Sequence, residues 1–158
     1  MPFFTGEHET TIGAKRRLPI ASALREEVLA GEGRDFYLVL GPDRRLWLYP
    51  DEYYRTLAST MKRSVVPSVK SRGSLGLMTA MARLIKPDAQ GRVVLPEKSL
   101  QRAGLTDSKE VTLVGEDDHI VIWPTSDWED YIEASLDGYA EALDAAAAAM
   151  DAATPPQS

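Results

Sequence analysis

The chain of 158 residues is long enough for one compact domain or two very small ones, and its content of 44% hydrophobic and 27% charged residues is ordinary for a globular protein. The absence of cysteine excludes disulfides and thiolate metal sites. No apolar run reaches the roughly 20 residues of a membrane span, and the acidic start MPFFTGEHETT does not have the pattern of a signal peptide. We therefore expect a cytoplasmic protein without a membrane partner.

The net charge of −6 is unevenly distributed along the chain. Residues 1–105 carry seventeen basic and eleven acidic side chains, a balance of +6, whereas residues 106–158 carry one basic and thirteen acidic side chains, a balance of −12. A basic body followed by an acidic tail is compatible with nucleic-acid binding, although the overall charge is negative.

The first half of the chain starts with an arm and a turn that holds its densest basic run. This run consists of Lys15, Arg16 and Arg17. Alternating apolar residues then predict strands over residues 36–40 and 46–49, joined by the turn sequence GPDRR. The sequence that follows has the apolar spacing of an amphipathic helix.

The middle of the chain leads into a second half with the same order of elements. Residues 62–74 are basic and rich in turn formers, which predicts a linker, and residues 75–85 predict a short helix running into a strand. Beyond them, alternation predicts strands over residues 111–114 and 120–123, and helical spacing predicts an amphipathic helix from Trp128.

The two halves also align residue by residue. The segment IGAKRRLPIASAL (12–24) matches PDAQGRVVLPEKS (87–99), and LWLYPDEYYRTL (46–57) matches IVIWPTSDWEDY (120–131), at offsets of 75 and 74 residues. Halves of about 60 residues are too small to bury a core alone. We therefore predict a mixed α/β (α+β), strand-rich pseudo-dimer, in which the repeats exchange strands around a shared barrel with short helices.

This pattern divides the chain into four predicted segments. The repeats cover residues 4–61 and 81–136, and a basic linker with a short helix covers residues 62–80. Residues 137–158 form an acidic, alanine-rich tail, which we expect to be either helical or disordered.

The stretch PDAQGRVVLP (87–96) contains the most informative turn. Asp88 can accept hydrogen bonds from its own backbone and Gly91 tolerates positive φ, so a tight turn is predicted before a strand. Such a turn fixes Arg92, whose guanidinium then reaches a phosphate, or O6 and N7 of guanine, at a lower entropic cost than a mobile one. The alternative is a surface arginine that only pairs with Asp88 across the turn.

With the repeat and both arginine turns, the chain resembles the MraZ family, which is built from two SpoVT-AbrB-type domains. The likeness covers roughly residues 4–136 and is closest in DAQGRVVLP, AGL and IVIWPTSDW. The first half keeps TGEHETTI, KRRL and LYP, but it departs from the family pattern at three positions. Gly13 stands where the family has an acid, Arg16 where it has a glycine, and Ala21 where it has a proline.

The resemblance implies a bacterial transcriptional regulator that represses its own division and cell-wall gene cluster. It implies a ring-shaped homo-oligomer that binds double-stranded DNA at promoter direct repeats, one subunit per repeat, in the cytoplasm and in association with the nucleoid. The family's D-x-x-x-R motif contacts DNA; Asp88 and Arg92 match it in full, and in the first half only Arg17 does. The alternative is a ring-forming interaction protein of the same fold with weakened or lost DNA binding.

The candidate DNA-binding residues are therefore Lys15, Arg16, Arg17, Lys86, Asp88, Gly91 and Arg92. We expect Arg16 to disturb the geometry of the first turn while it adds a charge that can bind phosphate. This half should therefore contribute to the affinity for DNA more than to the register of the protein on the DNA. Lys86 fits a phosphate contact because it lies beside the second turn.

Other residue patterns favour packing over chemistry. Five aromatic residues lie at strand and helix periods, which predicts a core and not a base-stacking platform; they are Trp47, Tyr49, Tyr54, Trp123 and Trp128. His119 follows two aspartates, but no second pair of ligands stands at metal spacing. No phosphate loop, nucleophile elbow, HExxH or GxGxxG occurs, so we predict no enzyme, no cofactor and no small-molecule substrate.

Overall fold

A computed structural model describes residues 1–61, 76–106 and 109–153 of the chain. The chain forms two compact units, Met1–Thr125 and Ser126–Ser158. Residues 62–75 of the predicted linker segment and the last residues of the predicted tail lie outside the described residues. Both predicted repeats contribute strands to the first unit, and the repeat boundaries stay a prediction.

The first unit has the predicted mixed α/β composition. Its strands are β1 (Glu7–Thr11), β2 (Arg17–Pro19), β3 (Phe36–Leu40), β4 (Leu46–Pro50), β5 (Arg83–Ile85), β6 (Arg92–Val94), β7 (Glu110–Glu116) and β8 (His119–Pro124). The described helices of the chain are α1 (Ser22–Glu26), α2 (Asp51–Met61), α3 (residues 76–81), α4 (Glu97–Ala103), α5 (Thr125–Leu136) and α6 (Tyr139–Ala153). A single turn of 3-10 helix occurs at Ala30–Glu32, and a tight turn with non-helical backbone angles occurs at Ala14–Arg16.

The strands form one antiparallel sheet and one separate ribbon. The sheet has the order β1-β7-β8-β4-β3-β5, and the ribbon consists of β2 and β6. The halves exchange their first strands, as predicted: β1 pairs with β7 of the second half, and β5 pairs with β3 of the first half. The pair Glu9–Thr112 and the pair Leu84–Tyr37 are related by the 75-residue offset of the repeat.

The predicted barrel is not closed among the described strands. The outer strands of the sheet are β1 and β5, and they do not pair with each other. The strands β2 and β6 form a separate two-stranded ribbon and do not pair with β1 or β5 among the described strands.

An approximate two-fold axis relates the halves within the first unit. In the sheet Trp47 pairs with Val121, and in the ribbon Leu18 pairs with Val93, so each pair joins residues that the repeat makes equivalent. Leu18 and Val93 are fully buried in the same apolar cluster as Leu48 of the sheet. The inner face of the ribbon and one face of the sheet therefore share a single core.

A second, aromatic cluster lies on the opposite face of the sheet. Val39 belongs to this cluster and its neighbour Leu38 to the main core, as the alternation along a strand requires. Tyr49 and Tyr54 are buried in the aromatic cluster, which confirms packing for both. Trp123 is also buried, with the Arg45 guanidinium 3.5 Å from its ring centroid.

This aromatic cluster ties α2 to the β7–β8 hairpin of the other half. The Tyr53 hydroxyl donates a 2.7 Å hydrogen bond to Oδ2 of Asp118. Burial and this hydrogen bond raise the pKa of Tyr53 to about 12, so the hydroxyl remains a donor at neutral pH. His119 lies 2.8 Å from the other oxygen of Asp118 through Nδ1, and its ring stacks on half-buried Trp47 at 4.0 Å between centroids. Asp118 and His119 therefore serve a structural contact.

The second unit is helical in its described part. Trp128 and Tyr131 stack along α5 with their ring centroids 5.8 Å apart. Within the predicted tail, Tyr139–Ala153 form a helix. Within residues 1–61, 76–106 and 109–153, no helix combines the length and the apolarity that a bilayer-crossing segment requires.

Candidate nucleic-acid interface

The second turn has the predicted hydrogen bonds. Asp88 Oδ1 accepts from the backbone amides of Gln90 and Arg92, both at 2.9 Å, and Gly91 has a φ of +79°. The hydrogen bonds to Asp88, first among them the one from the Arg92 amide, lower the pKa of the Asp88 carboxyl below its usual value. The carboxylate is therefore charged at neutral pH and keeps accepting these donors.

Asp88 also holds the side chain of Arg92. Its second oxygen, Oδ2, accepts a 3.0 Å hydrogen bond from Arg92 Nε. The pairing between Arg92 and Asp88 is thus present, but it engages Nε alone. The two Nη groups of Arg92 make no hydrogen bond with any residue that the structure describes, so the pair fixes the guanidinium and leaves its outer donors available.

The first turn has the same closing hydrogen bond as the second turn, without the carboxylate. The amide of Gly13 donates to the carbonyl of Arg17 at 2.8 Å, which matches the 2.8 Å bond from the Asp88 amide to the Arg92 carbonyl. Lys15 and Arg16 both have a φ of 60°.

The expectation that Arg16 disturbs the turn stays a prediction, because the two turns share this hydrogen bond but differ at Lys15, whose equivalent Gln90 does not have a positive φ. Arg16 adopts the left-handed conformation of its equivalent Gly91, at a cost of about 1–2 kcal/mol for a residue with a side chain.

The ribbon brings the two turns together. The amide of Ile20 donates to the carbonyl of Gly91, and the amide of Leu95 donates to the carbonyl of Arg16, both at 2.9 Å. These two bonds are related by the 75-residue offset. Each turn is thus anchored to a strand of the other half, and their relative position is fixed by backbone hydrogen bonds.

Both motif arginines lie on the outer face of this ribbon. Arg17 pairs with Val94 and Arg92 pairs with Pro19, while the central pair of the ribbon faces the core. Because side chains alternate along a strand, Arg17 and Arg92 share the outer face. They are diagonal neighbours across the two strands, which places them about 7–8 Å apart.

The other predicted site residues differ in how firmly they are held. The side chains of Lys15 and Lys86 are exposed and make no hydrogen bond or ion pair with the described part of the chain. Arg16 is half-buried, and its Nε donates a 2.9 Å hydrogen bond to the carbonyl of Leu95. The ribbon and its turns bring together Lys15, Arg16, Arg17, Asp88, Gly91 and Arg92, and Lys86 follows β5 just before the second turn.

Arg25 at the second turn was missed by the sequence analysis. Its Nε donates a 3.0 Å hydrogen bond to the carbonyl of Ile20, and its guanidinium lies directly against Gly91. The sequence signal that could have identified Arg25 is that each repeat has one arginine at one of two positions, and the position differs between the repeats. Arg25 is matched by Leu100, while Gly91 is matched by Arg16.

No group of three or more His, Asp or Glu side chains is placed to hold a metal ion within the described ranges. His119 and Asp118, two of the three adjacent residues considered as metal ligands in the sequence, contact each other and the aromatic cluster.

These features define a class of proteins: two-repeat α+β proteins with exchanged strands, in which a short ribbon presents one arginine from each repeat. A family model described as "MraZ protein, putative antitoxin-like" matches residues 78–151. Proteins named "Transcriptional regulator MraZ" from Clostridium tetani, Clostridium acetobutylicum and Herpetosiphon aurantiacus are 31%, 30% and 34% identical to the chain over 134 residues. Each alignment covers 85% of this chain and 90% of the relative. The chain belongs to the MraZ family.

Proposed function

We propose that this protein is a sequence-specific, DNA-binding transcriptional regulator and not an enzyme. Its relatives carry the name of transcriptional regulators. The observation that carries the proposal is the outer face of the β2–β6 ribbon, where Arg17 and Arg92 stand side by side. We further propose that it represses its own division and cell-wall gene cluster.

The dimensions of the ribbon suit the major groove of DNA. This groove admits a two-stranded β-ribbon, and arginine is the residue that most often reads guanine there through O6 and N7. Two arginines about 7–8 Å apart span roughly two base steps of 3.4 Å. In this arrangement Arg92 reads a base, since Asp88 orients its guanidinium and leaves both Nη groups available.

The residues around the ribbon supply contacts to phosphate. Lys15 and Lys86 are exposed cations, and Arg16 is fixed by the Leu95 carbonyl. Each phosphate neutralised by such a group releases counterions, which makes binding strongly dependent on salt. These contacts strengthen binding to any DNA sequence, whereas Arg92 distinguishes between sequences.

The alternative is a ring-forming interaction protein with weakened DNA binding. The first turn favours it, because Gly13 provides no carboxylate and Arg17 is not held as Arg92 is. The two proposals differ in one measurable property, the preference for an operator over other DNA.

The test is a titration of the full chain with its own upstream region, which we expect to contain short direct repeats. We expect binding to this duplex to be about 10³-fold tighter or more than to a scrambled duplex of equal length and composition at the same salt concentration, as is typical of specific regulators. Equal affinity for both duplexes would support the alternative, and no binding to either would remove the DNA-binding proposal.

We propose that the protein acts as a ring-shaped homo-oligomer that places one subunit on each repeat, in the cytoplasm and in association with the nucleoid. Tyr54 of α2 is not available for a contact between subunits, because it is buried within its own unit. Exposed apolar residues of the second unit are better placed for such a contact; they are Tyr131, Leu136, Tyr139 and Leu143.

Light scattering at micromolar concentration is expected to give a mass several times the 17.4 kDa of one chain. Leu136→Asp with Leu143→Asp is expected to lower this mass, and Leu29→Asp, which replaces an exposed leucine of the first unit, serves as the control. A monomer for the unaltered chain would remove the ring from the proposal.

A further inference from the structure

Arg25 occupies a space at the second turn that only glycine leaves open. A Cβ added at Gly91 would lie 2.5 Å from Arg25 Cζ and 2.6 Å from its Nε. The Nε group donates to the carbonyl of Ile20, which fixes the guanidinium in this position. Gly91 therefore has two roles, since it provides the positive φ of the turn and makes room for Arg25.

The equivalent space at the first turn is occupied by a guanidinium that comes from a different residue. Arg16, which is equivalent to Gly91, donates its Nε to the carbonyl of Leu95, which is equivalent to Ile20. The residue equivalent to Arg25 is Leu100, which is 4% exposed in the core. The two turns differ in sequence, yet each has one guanidinium, and the two guanidinium groups donate to backbone carbonyls at equivalent positions of the repeats.

The surroundings of Arg25 suit an anion. Arg25 is exposed, and none of the acidic side chains in the described part of the chain forms an ion pair with it. A cleft of about 230 Å³ opens beside it, and Arg34 is a second cation in the lining. An arginine fixed through Nε presents its remaining donors in the planar arrangement that binds phosphate oxygens.

We propose that Arg25 is a DNA-phosphate contact, the counterpart of Arg16 in the other repeat. With Arg17 and Arg92 these two residues form an approximately two-fold set of four arginines, in which one pair reads bases and the other pair binds the backbone. The Gly-to-Arg change at position 16 thus preserves a cation that the second turn obtains from α1. This inference rests on the proposed function of the ribbon.

The test uses the full chain, the upstream duplex and a scrambled duplex at several salt concentrations. Arg25→Gln keeps a donor for the Ile20 carbonyl but removes the charge. We expect this variant to weaken binding to both duplexes by a similar factor, so that the ratio of the two affinities is unchanged. We also expect it to reduce the slope of log K against log salt by about 1 per bound subunit. Arg44→Gln is the matched control. Arg44 lies in the turn at the far end of β3 from Phe36, which lines the cleft, and the strand is about 13 Å long.

A second variant moves the guanidinium instead of removing it. The double variant Gly91→Arg with Arg25→Leu gives the second turn the residue pair of the first turn. We expect it to fold, as judged by circular dichroism, and to regain the salt slope and most of the affinity that Arg25→Gln loses. A rescue of this kind is expected only if the charge at this position, and not the α1 side chain as such, contacts DNA.

Two results would overturn the inference. One is an unchanged salt slope and affinity for folded Arg25→Gln, and the other is a loss of thermal stability without a change in slope, which would mark a purely structural residue. Failure of the proposed function gives a different result, because the unaltered chain would then show no preference for the upstream duplex. In that case the proposed phosphate contact of Arg25 is refuted together with the proposed function.

Discussion

Arg92→Ala is expected to lower the affinity for the operator by about 10- to 100-fold per contacted site, and to change binding to scrambled DNA far less. The reason is geometric: Asp88 holds the Arg92 guanidinium through Nε, so the outer nitrogens are oriented before DNA binds. One good arginine–guanine contact contributes about 1–3 kcal/mol of discrimination. In a ring that occupies several repeats, the loss at each subunit adds to the total effect.

The measurement is an equilibrium titration of both duplexes at one salt concentration, with Arg17→Ala and Arg44→Ala beside Arg92→Ala. Arg17→Ala should reduce selectivity less, because Gly13 supplies no carboxylate to orient Arg17. Arg44→Ala should change neither affinity, since this residue lies outside the ribbon and its turns. If the ratio of the two affinities is the same for Arg92→Ala and for the unaltered chain, the turn has only a structural role.

Arg16→Ala gives a result that combines two effects. We expect weaker binding to both duplexes and a flatter salt dependence, as for a phosphate contact. The structure adds a second consequence, because Arg16 Nε also satisfies the carbonyl of Leu95. Some loss of stability should therefore accompany the loss of affinity, and Arg25→Gln separates the two effects better.

Local chemistry explains why much of the fold was predictable. The turn at Asp88 and Gly91 depends on a side chain that bonds its own backbone and on a residue that tolerates positive φ, and both are visible in the sequence. Strands β3, β4, β7 and β8 follow from alternation, because each has one face in the main core. The exchange of strands was predictable because halves of this size cannot bury a core alone.

The features that escaped prediction depend on contacts between distant segments. Arg25 became a site residue only because α1 lies against a turn 66 residues further along the chain. The left-handed backbone at Arg16 is maintained by bonds to Leu95 of the other half, which override the preference of arginine for negative φ. His119 looked like a loop residue, but its stacking on Trp47 buries it at the start of β8.

Leu48→Ala is expected to lower the free energy of unfolding by about 2–5 kcal/mol. Leu48 is fully buried in β4, where it pairs with Ile120 of β8 across the boundary between the two halves. Its truncation leaves a cavity in the core that the ribbon and the sheet share. Leu84→Ala is the control: this residue lies on the outer strand β5, is 42% exposed, and should lose less than about 1 kcal/mol.

The exchanged strands determine how this loss is distributed. Because β1 of the first half completes the sheet on β7, and β5 of the second half completes it on β3, neither half satisfies all the hydrogen bonds of its strands by itself. Leu48→Ala should therefore shift one cooperative transition without splitting it, in urea titrations followed by far-UV circular dichroism and by tryptophan fluorescence at constant protein concentration. Amide exchange should accelerate in β7 as much as in β3, although the substitution is in the first half. Acceleration confined to β3 and β4 would mean that each half is stable without the strand it receives from the other.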